Sequence, residues 1–195
     1  MGGNYLKWLD YLVDEFKVLF EQGKTAVLPS FMEGVIVLSA PPSLDKKDER
    51  EREANPENVA RVTKGVELAR HFGTKLFLNG ETEQLPWMKT IARELYFEPE
   101  KTVLIDCGRR GIGNTKTQFE VMAQNNQFNA LSYLTLVTSL YHVPRVFRTA
   151  KKWMPWVYWH VYGLTLQEFP FDVPMQVGGE IRRIIECTQR GDICW

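Results

Sequence analysis

Short apolar segments alternate with amphipathic helical patterns from Val35 onward, and this alternation restricts the fold more than any other feature of the sequence. Parallel strands cannot be joined by tight hairpins, so the intervening helices must be crossover connections that cover both faces of a sheet. We therefore predict a single α/β domain over residues 1–195, a Rossmann-like three-layer fold with a mostly parallel sheet of about five strands. The predicted strands are Val35–Ala40, Lys75–Gly80, Thr102–Ile105, Leu134–Ser139 and Trp156–Tyr162.

Each helical pattern places apolar residues on one face. Gly73 and Gly191 are predicted to end helices, because glycine readily adopts the left-handed conformation found there. The final helix is predicted to begin at Gly179-Glu180, after an irregular or edge segment from Phe169 to Val177. The predicted inner faces are Val59, Val62, Val66 and Ala69; Leu85, Met88, Ile91 and Leu95; Phe119, Met122 and Ala123; Val146, Phe147, Ala150 and Trp153; and Ile181, Ile184, Ile185 and Thr188.

Residues 1–24 have the pattern of an amphipathic helix. Charged residues interrupt the apolar ones too often for a secretory signal or a membrane span. We expect this helix to pack on the domain, and the alternative is a docking helix for a partner or a membrane surface. Its apolar stripe consists of Leu6, Leu9, Val13, Phe16 and Phe20, widened by Trp8, Leu12 and Leu19.

The charge balance and the cysteines restrict the class of partner and the compartment. The chain has 24 basic and 24 acidic residues, so no global field favours nucleic acid as a partner. Its three cysteines form no C-x-x-C pair and are odd in number, which favours reduced thiols and a cytoplasmic location. Neither feature predicts an oligomeric state.

Small or polar residues stand at the ends of four predicted strands. Ser39 ends the first, Asn79-Gly80-Glu81 follows the second, Asp106 follows the third, and Thr138-Ser139 ends the fourth. Parallel strands have their carboxyl ends along one edge of the sheet, which is where open α/β sheets bind ligands. We therefore expect these groups, with Asn114 and Arg145, to surround one shared hollow.

The segment after the fourth strand carries the strongest candidates for chemistry. Pro144 suits the first turn of a helix, whose free N–H groups attract anions, and the Arg145 guanidinium could hold a phosphate or carboxylate. His142 is the best candidate for a catalytic acid or base, and a structural hydrogen-bonding role is the alternative. Asp106 or Glu81 would be a second catalytic group or a ligand of a hard cation. No zinc motif is present.

Several neighbouring segments allow two interpretations. The glycine-rich turn Gly108–Thr115 is either a phosphate cradle in which Asn114 and Thr115 bind the ligand, or a plain turn with an N-cap. The charged segment Asp45–Glu53 is a solvated loop or a lid over the site. Cys107 is expected to be a small buried hydrophobe. Arg148, Lys151 and Lys152 are expected to form a solvated basic row.

Several motifs together resemble the YdcF-like family, which includes the SanA-like and ElyC-like groups. Leu136–Arg145 resembles the family signature V-T-S-x-x-H-x-x-R, and Asn114–Gln118 is similar to its N-T-x-E-N motif. Arg61, followed by Gly65, resembles the arginine helix after the family's first strand. The ending Gly179–Ile193 is also in keeping with some members, so the resemblance spans residues 35–193.

The resemblance implies a Rossmann-like fold with a polar ligand site over the strand ends, to which Arg61 would contribute. It also implies a small anionic or nucleotide-like ligand such as S-adenosylmethionine, with transferase or hydrolase activity left open. Membrane-anchored members are associated with the bacterial envelope. The alternative function is a non-catalytic interaction or regulatory protein that retains the fold, including one linked to the cell envelope. Its partner or self-association surface would be the aromatic stretch Trp153–Tyr162 and the N-terminal helix.

Overall fold

A computed structural model of the chain describes residues 2–22, 28–41, 56–109, 114–165 and 173–194. Its strands form one five-stranded sheet in the order β3-β2-β1-β4-β5, and every neighbouring pair is parallel. Helices cover both faces, so the predicted Rossmann-like three-layer fold is confirmed. The strands are β1 (Gly34–Leu38), β2 (Lys75–Gly80), β3 (Thr102–Asp106), β4 (Tyr133–Ser139) and β5 (Tyr158–Leu164).

The helices connect these strands as crossovers. Three short 3₁₀ turns, at Pro99–Lys101, Asn126–Phe128 and Leu140–His142, lie between the longer elements of the described chain. None of the helices among the described residues is long and apolar enough to span a membrane. The helices are α1 (Gly2–Gln22), α2 (Pro56–Phe72), α3 (Leu85–Glu94), α4 (Thr115–Gln124), α5 (Val143–Trp153) and α6 (Val173–Gln189).

The two faces of β1 belong to two different cores, because successive side chains of a strand point in opposite directions. Val35 and Val37 face α2 and α3, whereas Ile36 and Leu38 face α4 and α5. All five residues of β1 are buried, which explains why this central strand is a continuous apolar run. Each buried aliphatic side chain contributes about 1.5–3 kcal/mol to folding, so the sheet is a firm support for its loops.

Gly65 allows α2 to lie close to the sheet. A Cβ atom at this position would lie 2.2 Å from Val37 Cγ2, a distance that real Cβ contacts do not reach. The close approach brings the buried polar residues of α2, Asn58 and Arg61, to the carboxyl end of β1.

Residues Gly2–Gln22, within the segment predicted to be an amphipathic helix, form α1. Leu12 and Phe16 of α1 form a third apolar cluster with Ile181, Ile184 and Ile185 of α6. The cluster fixes α6 beside α5, where α6 becomes one wall of the site described below.

Several sequence-based details are wrong. Val59 and Phe147 were predicted to face the core but are each 39% exposed, because the buried stripes of α2 and α5 include polar residues that the apolar pattern overlooks. Arg148 is buried rather than solvated, since it pairs with Glu15 of α1. Helix α6 begins at Val173 and not near Gly179, and β5 runs two residues later than Trp156–Tyr162.

The crossovers run in opposite directions from β1 and β4, so the sheet has its topological switch point between these two strands. Open parallel sheets bind ligands in the crevice outside the carboxyl ends of such strands. The charged segment Asp45–Glu53, predicted to be a loop or a lid, lies outside the described residues. So do residues 110–113 of the glycine-rich turn.

Candidate functional site

A polar cleft of about 410 Å³ opens at the carboxyl ends of β1, β2 and β4, next to the topological switch point. The segments after these strands form its floor, and α4 and α6 form its walls. It is lined by Ser39, Ala40, Pro41, Glu81, Gln84, Asn114, Thr115, Lys116, Gln118, His142, Arg145, Thr149, Arg183, Glu186, Cys187, Arg190, Asp192 and Ile193.

Six of the ten predicted site residues line this cleft: Ser39, Glu81, Asn114, Thr115, His142 and Arg145. The other four do not. Thr138, Ser139 and Arg61 are at most 1% exposed and lie in the protein interior. Asp106 is exposed at the end of the edge strand β3, where its carboxylate accepts hydrogen bonds from Thr82 Oγ1 and Gly108 N, each 2.8 Å long.

Arg145 is held by an acidic residue of α6. Its Nε donates to Glu180 Oε2 over 2.7 Å and its Nη2 to Glu180 Oε1 over 3.1 Å, and this carboxylate also accepts from Arg183 Nη1 over 2.8 Å. Arg145 Nη1 donates to Thr115 Oγ1 over 2.7 Å. Glu180 is 1% exposed, and its carboxylate holds the Nε and Nη2 atoms of the Arg145 guanidinium in place. The Nη1 atom of the same guanidinium faces the cleft residue Thr115.

His142 lies between two threonine hydroxyls. Its Nε2 is 3.1 Å from Thr115 Oγ1 and its Nδ1 is 3.0 Å from Thr138 Oγ1. Burial lowers the pKa of His142 well below its ordinary value, and the nearby guanidinium groups of Arg145, Arg61 and Arg183 lower it further. The imidazole is therefore neutral at pH 7, and full transfer of a proton to it is costly.

Arg61 belongs to a closed cluster at the ends of β1 and β4. Its Nη1 donates to the main-chain oxygens of Leu38 and Ser39 over 3.0 and 2.9 Å. Its Nη2 donates to Glu57 Oε1 over 2.5 Å, and Nε and Nη2 contact Ser139 Oγ at 3.2 and 3.1 Å. Glu57 also accepts from the Ser139 hydroxyl and, over 2.8 Å, from Tyr141 Oη. This cluster stabilises the strand ends and does not line the cleft.

The first turn of α4 lies at the cleft wall. Asn114 caps this helix by accepting a hydrogen bond from Thr117 N over 3.1 Å, which is the N-cap role that the sequence predicted for it as one alternative. Behind this wall, Asn79 Nδ2 donates to Gln118 O over 3.3 Å and ties β2 to α4.

Cys107 is 3% exposed, which confirms that it is a buried residue. Its thiol lies 2.9 Å from Asn79 Oδ1. Burial raises the pKa of this thiol to about 12, and the charges of Asp106 and Glu81 add to the shift. Cys107 is therefore not a reactive thiolate at neutral pH.

Ion pairs also line the cleft. Asp192 accepts from Lys116 Nζ of α4 over 2.9 Å and from Arg190 Nε over 2.8 Å. These hydrogen bonds, first that from Arg190 and then that from Lys116, lower the pKa of the Asp192 carboxyl. The pair between Asp192 and Lys116 connects the segment after α6 to α4, across the two walls.

Glu57 and Glu180, which hold Arg61 and Arg145, were not among the predicted site residues. Glu57 and Arg61 are four residues apart on one helix face, so their ion pair had a recognisable signal. Glu180 is 35 residues from Arg145, and no local pattern indicates that contact.

Among the residues with described positions, no group of three or more His, Cys, Asp or Glu side chains is placed to hold a metal ion. No protein-family model matches the chain, and no curated protein matches it in sequence. Function is therefore inferred from the geometry of the cleft.

Proposed function

We propose that the cleft binds a small ligand that carries a phosphate or carboxylate group, with the Arg145 guanidinium and the Thr115 hydroxyl at the anionic end. The observation that carries the proposal is the position of these groups. They meet at the carboxyl ends of β1 and β4, at the topological switch point of the sheet. Lys116, Arg183 and Arg190 add positive charge to the same cleft.

A nucleotide-like ligand such as S-adenosylmethionine carries a suitable group, and the resemblance to the YdcF-like family supports a ligand of this class. The location that we propose for the protein is the cytoplasm. Glu81 lines the cleft after β2, where a carboxylate can accept hydrogen bonds from sugar hydroxyls. Binding is the primary function proposed, because the buried, neutral His142 is poorly suited to taking up a proton. A transferase reaction that needs only orientation of two ligands is compatible with such a site.

Isothermal titration calorimetry with inorganic phosphate tests the anion site. Removal of a charge-assisted hydrogen bond costs about 1.5–3 kcal/mol, so Arg145→Ala should raise the Kd by about tenfold or more. Arg93→Ala is the matched control, because Arg93 is exposed on α3 and does not line the cleft. Circular dichroism checks that both variants fold. An unchanged Kd in folded Arg145→Ala contradicts the proposal.

A thermal-shift screen then identifies the class of ligand. Nucleotides, S-adenosylmethionine, sugar phosphates and divalent metals are compared, and a ligand that binds the folded state raises the Tm by an amount that grows with the ratio of its concentration to its Kd. Stabilisation by none of them favours a non-catalytic interaction or regulatory protein, including one linked to the cell envelope.

A further inference from the structure

The hydrogen atoms around His142 can be placed from the contacts alone. A neutral imidazole has one N–H donor and one acceptor nitrogen, and a threonine hydroxyl has one hydrogen to donate and two lone pairs. The chain of contacts runs from Thr138 Oγ1 to His142 Nδ1, and from His142 Nε2 to Thr115 Oγ1. Arg145 Nη1 contacts the same Thr115 oxygen and can only donate.

The Thr138 hydroxyl determines which atom donates and which accepts in each hydrogen bond of this series. Thr138 is 0% exposed, and within the described part of the protein its hydroxyl has one hydrogen-bond partner, His142 Nδ1. If Nδ1 carried the proton, the Thr138 hydrogen would be buried without an acceptor. The tautomer that leaves this hydrogen unsatisfied should therefore be less populated than the other tautomer by about tenfold or more. The Thr138 hydroxyl therefore donates to Nδ1, and the proton of the imidazole is on Nε2.

The protonated Nε2 then donates to Thr115 Oγ1. This oxygen accepts two hydrogen bonds, one from His142 and one from Arg145, so both of its lone pairs are used. The remaining hydrogen of Thr115 has no acceptor among these neighbours. Thr115 is 5% exposed and lines the cleft, so the free direction for its O–H is toward a ligand.

We propose that Thr115 presents its O–H hydrogen to the cleft, held in that direction by His142 protonated at Nε2, so that the ligand atom bound there is a hydrogen-bond acceptor such as a phosphate or carboxylate oxygen. This inference rests on the proposed function and narrows it. An ammonium or amide N–H group at this position would meet a donor and would be rejected. His142 is then a positioning residue that acts through Thr115, and not the acid or base that its sequence context suggests.

The first measurement needs no ligand. Two-bond ¹H–¹⁵N correlation spectra of the full chain distinguish a protonated from a bare ring nitrogen, and the His142 signals are assigned through its backbone. The expected result is a neutral ring with Nε2 protonated and Nδ1 bare. A ring protonated at Nδ1 overturns the inference, whether or not phosphate binds.

The second measurement compares phosphate affinity in Thr115→Val and Thr115→Ser by calorimetry. Valine removes the hydroxyl and should raise the Kd by about ten- to a hundredfold, whereas serine retains it and should keep the Kd within a few-fold of wild type. Thr188→Val is the matched control, because the Thr188 hydroxyl bonds Ile184 O over 2.8 Å within α6 and does not line the cleft.

The outcomes separate the two proposals. Equal phosphate affinity in Thr115→Val and wild type overturns the inference. If folded wild type binds no phosphate although His142 is protonated at Nε2, the placement of the hydrogens is supported and the proposed function fails.

Discussion

Arg61 and Arg145 are two arginines at the same edge of the sheet, and their partners differ. Arg61 is 1% exposed and donates to the main-chain oxygens of Leu38 and Ser39 as well as to Glu57. Arg145 has a 15% exposed side chain and, as far as the structure describes it, donates only to side chains, those of Glu180 and Thr115.

The difference separates an ion pair closed inside the protein from an arginine that borders the cleft and that we propose binds the ligand. The main-chain oxygens that Arg61 contacts are held by the sheet, so its hydrogen bonds to them persist. The cluster therefore fixes the ends of β1 and β4. Arg145 and its partner Thr115 both line the cleft, so an anion that enters the cleft can contact both side chains. Residue type and position in the sequence do not show this distinction; the partner atoms do.

The largest expected effect is loss of the closed cluster. Glu57→Gln leaves the Arg61 charge buried without a carboxylate, which should lower the free energy of unfolding by about 3–5 kcal/mol. Urea denaturation followed by circular dichroism measures this. Glu67→Gln on the same helix is the matched control, because Glu67 forms an exposed pair with Lys64 that should contribute less than about 1 kcal/mol. Equal losses in both variants would refute the distinction between the two kinds of pair.

A smaller effect is expected for the pair at the cleft. Glu180→Gln should lower the free energy of unfolding by about 1–3 kcal/mol, since Arg145 and the 56% exposed Arg183 side chain can still reach water. The same variant should weaken phosphate binding, because the Arg145 fork loses its support. A loss as large as that of Glu57→Gln would show that both clusters are structural.

The pH dependence of stability tests the environment of His142. Burial and the charges of Arg145, Arg61 and Arg183 hold its pKa in the folded protein well below the ordinary 6.5. Below pH 6.5 the unfolded chain therefore binds a proton that the folded protein does not. Stability from this group is complete above that pH and declines as the pH falls, by at most about 1.4 kcal/mol per pH unit.

The His142 contribution is isolated by subtracting the pH profile of His142→Gln from that of wild type. Burial also lowers the pKa of His160, and this effect cancels in the difference because both proteins contain it. If the difference in the free energy of unfolding between the two proteins stays constant between pH 7 and pH 5, the pKa of His142 is the same in the folded and unfolded states, which would contradict this account.

The fold follows from the sequence because its main signals are local. Continuous apolar runs such as Val35–Leu38 are typical of strands buried on both faces, and helices between them require parallel pairing. Parallel pairing in turn predicts that Ser39, Thr115 and Arg145 lie together, and all three line the cleft.

The details that sequence analysis missed depend on contacts between distant residues. Arg61 and Ser139 are buried because Arg61 forms an ion pair with Glu57 and because Gly65 lets α2 approach the sheet closely. Both residues therefore lie in the protein interior and do not line the cleft. Glu180 was missed because α6 reaches the cleft by packing on α1 through apolar side chains. Val59 and Phe147 were misplaced because polar residues occupy part of the buried faces of their helices.

The central claim is that the ligand site is the cleft at the switch point between β1 and β4. Titration of the ¹⁵N-labelled chain with inorganic phosphate, followed through the backbone amides, tests it most directly. Saturable shifts are expected at Ser39, Thr115 and Lys116, with none at Tyr133 and Tyr158, which start their strands at the opposite end of the sheet. Saturable shifts confined to that opposite end, or none at any phosphate concentration, would contradict the claim.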